Sequence, residues 1–457
     1  MTTEPPTEPT TAPSSATTAR PSGPPAPPAP SPGPTAPPAP SASSRSTTPT
    51  GAGPEIRPAI TLALLSLQHA LIHAQSALMP LVFIQVIDQF GVGVGEVGLL
   101  IAVGNILSGG IQLSFGWLTR VVSRRGILAI GGLVFGAGMT LTGLATAWLP
   151  FSAATVIARL GGAPQHPVGN ALLAEQYPAD RRGSAISIHI AVGNLGTVAI
   201  PLVGGYIIAR AGWQPAVLIV GIPALVAAVA IALLLRESGT DRAAALDTGS
   251  TLSAYRSLRG ERDLLWLFAG SSVAAAGRGL GIITTFVPLY LSRSLALDGG
   301  TVALMYTLLL VGSVPGPIVA GWISDRVGHK AVLFATYVLG AGSLALLVIA
   351  GSNIPAVWLA IGFMSAFVFE ESSLMQALLA DVARPAIRDV AFSAYFTLMF
   401  GVGAIWAAAL GALVGTLGDR AGFPVAFGIS ALSYLGAALV VTRIRTPSRR
   451  ARAAGTP

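Results

Sequence analysis

Cysteine is absent from the chain, and that absence excludes disulfides, thiolate metal sites and thiol nucleophiles. Charge is scarce too. Asp, Glu, Lys and Arg make up 10% of the 457 residues, against about 25% in an ordinary soluble domain. That is too little to coat a water-facing surface, so lipid must solvate part of it. Histidine numbers only five, which narrows metal chemistry; no metal site and no cofactor is expected. Lysine is rarer still: Lys330 is the only one, and Arg supplies the remaining positive charge. No nucleophile–base spacing or nucleotide loop is present, so an enzyme is not expected.

What the chain does have is apolar length. Hydrophobic residues make up 52% of it. The exception is segment 1–57, a Pro, Ser, Thr, Ala and Gly tail that cannot bury enough surface to offset its ordering entropy, and is expected to be disordered. From Pro58 onward, twelve apolar runs follow one another, each roughly 20 to 25 residues long and so able to cross a bilayer as a helix. The fourth covers 150–176, the seventh 264–291 and the tenth 354–380. Backbone facing lipid must satisfy its hydrogen bonds internally, so the fold class is an all-α membrane protein. The numerous glycines, 54 in all, suit close packing of membrane helices.

The net charge of +8 is a matter of topology. Arg57, Arg120, Arg124, Arg125, Arg181, Arg182, Arg236, Arg326, Lys330, Arg384, Arg388 and the tail from Arg443 fall in one alternate set of connections. The opposite set holds only Arg210, Arg293 and Arg420. By the positive-inside rule the first set and both termini are cytoplasmic, in the cell membrane. Nucleic acid is not needed to explain the basicity, and none is expected as a partner.

The longest connection, 237–263, divides the chain into six-helix halves, 58–236 and 264–443, followed by a basic tail, 444–457. The halves read as repeats. GWLTRVVSRRGIL (116–128) aligns with GWISDRVGHKAVL (321–333), and YPADRRGSA (177–185) with RPAIRDVAF (384–392). Two such halves around a polar cavity are an architecture of secondary transporters. GWISDRVGHKAVL resembles the conserved cytoplasmic loop of the major facilitator superfamily through Gly321, Asp325, Arg326, Gly328 and Lys330. The resemblance implies twelve helices in two pseudo-repeats and a latch that breaks and forms as the halves rock. The plainer role for Arg326 and Lys330 is to set topology. In the first copy Arg120 stands where the Asp belongs and Ser123 where the Gly belongs, so that copy departs from the latch pattern.

Two further resemblances bear on direction. Gly196, Pro201, Gly204 and Gly205 in the fifth span resemble a motif of proton-driven exporters, with Ile200 in place of one glycine. Their physical role is a kink and a surface of small residues that lets a neighbour approach. His69 and His73, the run HPVGNALLAEQYPADRRGSAISIHIAVGNLG and Arg278 with TTFVPLYL are similar to the fosmidomycin-resistance branch. That branch implies proton-coupled efflux of a small, often anionic, drug or metabolite.

Polar residues inside the spans carry the site. In GGAPQHPVGN (161–170), two prolines and a histidine interrupt the fourth span. Arg159, His166 and Asn170 share one helical face there. Ionisable side chains in a membrane span are costly and face a cavity or a partner. Arg159 is the expected anion anchor, with Arg278 in the seventh span as a second. His166, with His69 and His73 on one face of the first span, is expected to bind substrate or pass protons; for Asn170 a packing hydrogen bond is the simpler role. Glu370 and Glu371 in the tenth span are the expected proton carriers, since burial and a nearby Arg pull a carboxyl's proton affinity in opposite directions. Adjacent helical residues point about 100° apart, so at most one of the two faces the cavity. His189 reads as a packing histidine, and Glu175 as a partner for Arg181 or Arg182. The expectation is a monomeric, proton-coupled exporter of a small anion working by alternating access. The alternatives are proton-coupled uptake of an organic anion and a transport-inactive membrane sensor with the same fold.

Overall fold

A computed structural model of the chain describes residues 56–112, 114–237, 256, 258–384 and 387–445, which lie in one compact unit. The Pro-rich tail, all but one residue of 238–257 and the end of the basic tail fall outside the described residues, as do the side chains of Arg120, Arg182 and Arg388.

Helices account for nearly everything described. The first half contains α1 (Pro58–Phe90), α2 (Val94–Gln112), the short α3 (Phe115–Val121), α4 (Arg124–Gly143), α5 (Trp148–Gly162), α6 (Asn170–Gln176), α7 (Ala179–Ala211) and α8 (Trp213–Leu234). The second contains α9 (Arg262–Ala274), α10 (Thr284–Leu289), α11 (Gly299–Val311), α12 (Pro315–Val327), α13 (His329–Ala350), α14 (Ile354–Phe367), α15 (Glu371–Val382), α16 (Arg388–Leu417) and α17 (Asp419–Thr442). Among the described residues, 11 helical spans are long and apolar enough to cross a membrane. The twelfth expected span is α5 plus α6, which GGAPQHPVGN interrupts. Pro164 and Pro167 remove two backbone donors there, and the chain takes a wide turn over Gln165–Gly169 before resuming as α6.

Span ends follow local chemistry. Gly91 closes α1 with a left-handed φ of 64° that a side chain would strain. The Asp298 carboxylate accepts from the Thr301 N–H at 3.0 Å and caps α11. Ser123, where the loop pattern has glycine, caps α4 by accepting from Gly126 N–H at 3.0 Å. Large apolar side chains such as Leu149, Ile349 and Leu439 point outward, exposed, as the lipid-facing side of membrane helices requires.

Where helices cross closely, glycine makes the room. A side chain at Gly98 of α2 would sit 2.9 Å from the Gly411 Cα of α16, across the two halves. One at Gly205 of α7 would meet Ala303 of α11 at 2.7 Å, also across the halves. Gly196 of α7 lies against the backbone of Ala70 in α1, and Gly204 against Leu78. The small-residue motif of the fifth span therefore packs on both halves. Pro201 sits inside α7.

Candidate functional site

The interior breaks of the spans carry some of the ionisable residues: His166, Arg278 and Glu370. Span four breaks at His166. Span seven (α9–α10) unwinds through Arg278, Leu280 and Gly281, where φ reaches 99°. Span eight (α11–α12) breaks at Gly312–Val314, and span ten (α14–α15) at Val368–Glu370. Backbone can be irregular at membrane depth only where protein or water satisfies it. Here the breaks satisfy one another. Gly279 N–H donates to Val368 O at 3.2 Å, joining spans seven and ten. Gly312 N–H donates to Ser365 Oγ at 2.9 Å, and Ser365 Oγ donates to Leu308 O at 2.7 Å, joining eight and ten.

At the centre of these breaks the adjacent glutamates part company. Glu371 is buried in the first turn of α15, where the helix dipole favours negative charge. It accepts from Arg278 Nε at 3.0 Å and from the other arm at 3.3 Å. Arg278 also donates to Ser271 Oγ at 3.1 Å and to the carbonyls of Ser271 and Met399. Its guanidinium is thus fully engaged. The Tyr337 hydroxyl approaches Glu371 at 3.4 Å. Glu370 is just as buried, yet neither carboxyl oxygen has a hydrogen-bond partner. It points toward Gly316 at the start of α12, whose missing side chain leaves its space.

In the first half four of the five histidines converge. The His69 ring lies 4.4 Å from that of His73, 4.8 Å from His166 and 4.3 Å from His189, on which it stacks. His69 Nδ1 is 3.1 Å from the His189 carbonyl, and His73 Nδ1 is 3.0 Å from Thr197 Oγ1. The fourth of the group, His189, was read from sequence as packing alone. The missed signal was the face it shares with Gly193 and Gly196, at i+4 and i+7. A side chain at Gly193 would press on the His69 ring at 2.6 Å. Two glycines in register with a histidine mark where another helix presses in.

Arg159 donates to Asn105 Oδ1 of α2, a neutral partner, and its Nε is buried without one. Among the described residues it has no carboxylate. Asn170 Oδ1 is also buried and unpartnered. Glu175 pairs with Arg124.

The ends of the molecule differ. At the basic end, Asp325 is exposed and its nearest ion partner is His329 of its own half, at 3.5 Å. Arg326 stacks over Trp322 at 3.5 Å, and Lys330 donates to the carbonyls of Thr442 and Ile444. Gly328 takes φ 103° between α12 and α13, and Gly321 has open space around it. At the opposite end, Arg293 joins the halves. It donates to Asp88 of α1 at 2.8 Å and to Asp419 of α17 at 2.7 Å. In the sequence Arg293 reads only as one of three basic residues in the sparsely charged connections, and Asp88 carries no signal there. Only the Asp88 pair crosses the halves, and such a partly exposed pair contributes about 0.2–1 kcal/mol. Arg293→Gln should therefore raise the open fraction of this end roughly 1.4- to fivefold. The check is the labelling rate of a lone cysteine at Gly415, which faces Gly95 across the halves. An unchanged rate would show that the pairs do not hold this end.

A family model described as Major Facilitator Superfamily matches residues 65–291 and 267–457. The chain belongs to that superfamily. It is 24% identical over 252 residues to a probable sulfoacetate transporter of Cupriavidus necator, covering 52% of this chain and 58% of that one. It is 26% identical over 235 residues to an MFS-type efflux pump of Mycolicibacterium smegmatis, covering 50% of this chain and 54% of the pump. The chain thus spans little more than half the length of either relative. Among solved structures it resembles a bacterial homolog of the human lysosomal transporter Spinster, inward-facing and unoccupied, with TM-score 0.71 and 15% identity over 86% of this chain and 97% of that one. The fold is that of two-repeat transporters.

Proposed function

We propose that the chain exports a small organic anion by alternating access, in exchange for protons, across the cell membrane with its basic loops on the cytoplasmic side. The observation that carries the anion is Arg159. A guanidinium at membrane depth with its Nε buried and no counter-charge is costly, and a cargo carboxylate, sulfonate or phosphonate would supply the missing charge through two parallel hydrogen bonds. Arg278 is a weaker candidate for that task than sequence suggested, because Glu371 already neutralises it. Its pair with Glu371 instead ties spans seven and ten together. Glu370 is the proton carrier in this reading. Its carboxyl is buried with no donor facing it, and it sits where three broken spans meet. His166 and Asn170 complete the wall beside Arg159. In this reading Asp325 and Arg326 are the latch of the basic end, and the Arg293–Asp88 pair ties the other end.

The similarity to a sulfoacetate transporter supports an anionic cargo, and that to an efflux pump supports export. The test is an imposed pH gradient in everted vesicles, challenged in turn with sulfonates, carboxylates, phosphonates and cationic drugs. An anion should dissipate the gradient, and Arg159→Ala should weaken its apparent affinity at least about tenfold, the equivalent of 1.4 kcal/mol. Response to cations alone, or an unchanged affinity in the variant, would sink the anion reading. Proton movement in the same direction as the anion would replace exchange with symport.

A further inference from the structure

We infer that His69, His73 and His166 form a binding site for a divalent transition-metal ion of the zinc class. This goes beyond the transport reading and does not rest on it. It also departs from the expectation of no metal site, which followed from the small number of histidines; their convergence matters more than their number.

Three observations carry it. First, His69, His73 and His166 each offer a ring nitrogen, and these atoms lie within 4.8 Å of one another. Among the described residues this is the only group of three such side chains that could hold a metal. In a tetrahedral site with Zn–N bonds of about 2.0–2.1 Å, neighbouring nitrogens are about 3.3 Å apart. Rotation of His166, the exposed member of the three, can close that gap. His69 and His73 are one helical turn apart on α1, so their rings already present to the same side.

Second, the other ring nitrogens are occupied in the way metal-bound histidines require. His69 Nδ1 donates to the His189 carbonyl at 3.1 Å, and His73 Nδ1 faces Thr197 Oγ1 at 3.0 Å. A hydrogen bond from Nδ1 places the proton there and leaves the lone pair on Nε2, the tautomer and orientation of a metal ligand. Both partners come from α7, so α1 supplies two of the three ligands and its neighbour orients them. Third, His69 Nε2 is buried with no hydrogen-bond partner. A buried unpartnered acceptor is costly, and a cation removes that cost. Neutral imidazole suits zinc, nickel and copper better than the oxygen-seeking magnesium and calcium. Three ligands leave the fourth position open on the side of His166, for water or an oxygen of another molecule.

The experiment uses the full chain purified without a polyhistidine tag, stripped of metal, and titrated with Co2+ and then Zn2+. The expected result is one Co2+ per chain with the intense visible bands of a tetrahedral site, displaced by Zn2+. His73→Gln should weaken binding at least about tenfold, and so should His166→Gln. His329→Gln should leave it unchanged, since His329 belongs to the basic end, beside Asp381 and Asp325. Monodisperse elution of each variant establishes folding. Absence of the tetrahedral bands in the unaltered protein overturns the proposal, whatever the variants do. Binding that survives in both His73→Gln and His166→Gln, or is lost in His329→Gln, overturns it as well.

Discussion

Arg278→Met is expected to destabilise the purified protein by about 3–5 kcal/mol, the loss typical when one member of a buried ion pair is removed. The cost arises because Glu371 would be left charged in the interior with its main donor gone. Arg278 also donates to the carbonyls of Ser271 and Met399, so the variant frees acceptors on two helices besides. Adding Glu371→Leu should recover most of the loss, since two well-packed apolar side chains are often no worse than the pair they replace. Neighbouring Glu370 provides the contrast. Its oxygens have no partner to lose, so Glu370→Gln should shift stability by less than about 1 kcal/mol. Thermal unfolding in one detergent, with the single and double variants side by side, measures all three. A midpoint for Arg278→Met equal to that of the unaltered protein would mean that the pair does not hold spans seven and ten together.

The fold was legible in the sequence because membrane helices are written in long apolar runs, which need no tertiary information to recognise. The duplicated loops around Arg120 and Asp325 then placed the two halves. Span four was legible as an interruption: Pro164 and Pro167 break a helix whatever surrounds them. What surrounds a side chain was not legible. Glu370 and Glu371 are adjacent, and sequence could say only that they point different ways. That one meets Arg278 and the other meets nothing follows from where the breaks of spans seven and eight come to rest. Arg278 was read as available to a substrate because its partner lies 93 residues away. The convergence of His189 with His69 likewise depends on α7 crossing α1 at Gly193 and Gly196, a packing of which sequence records only the glycines. The tie at Arg293 was missed for the same reason. Asp88, Arg293 and Asp419 sit at the ends of three different spans, and only their assembly makes them a group.

Glu370→Gln, nearly silent in stability, is expected to have the largest effect on coupling. If one proton exchanges for one anion, each unit of pH difference contributes about 1.4 kcal/mol to the anion gradient, a tenfold accumulation. A glutamine has nearly the shape of the protonated acid and cannot release a proton. In the reading proposed above, the variant should still exchange labelled anion for unlabelled anion across the membrane. It should not respond to an imposed pH difference, so the tenfold accumulation should fall to none. Crowding the same carboxyl from the other side makes an independent test. Gly316→Ala places a methyl group in the space Glu370 occupies and should impair coupling while leaving the carboxyl in place. Glu371→Gln makes the opposite comparison, because it weakens the bond to Arg278 and should be felt in stability first. Accumulation in reconstituted vesicles with and without a pH difference, measured for the three variants, separates these roles. Full gradient-driven accumulation by Glu370→Gln would remove that side chain from the mechanism and turn attention to the histidines of the first half.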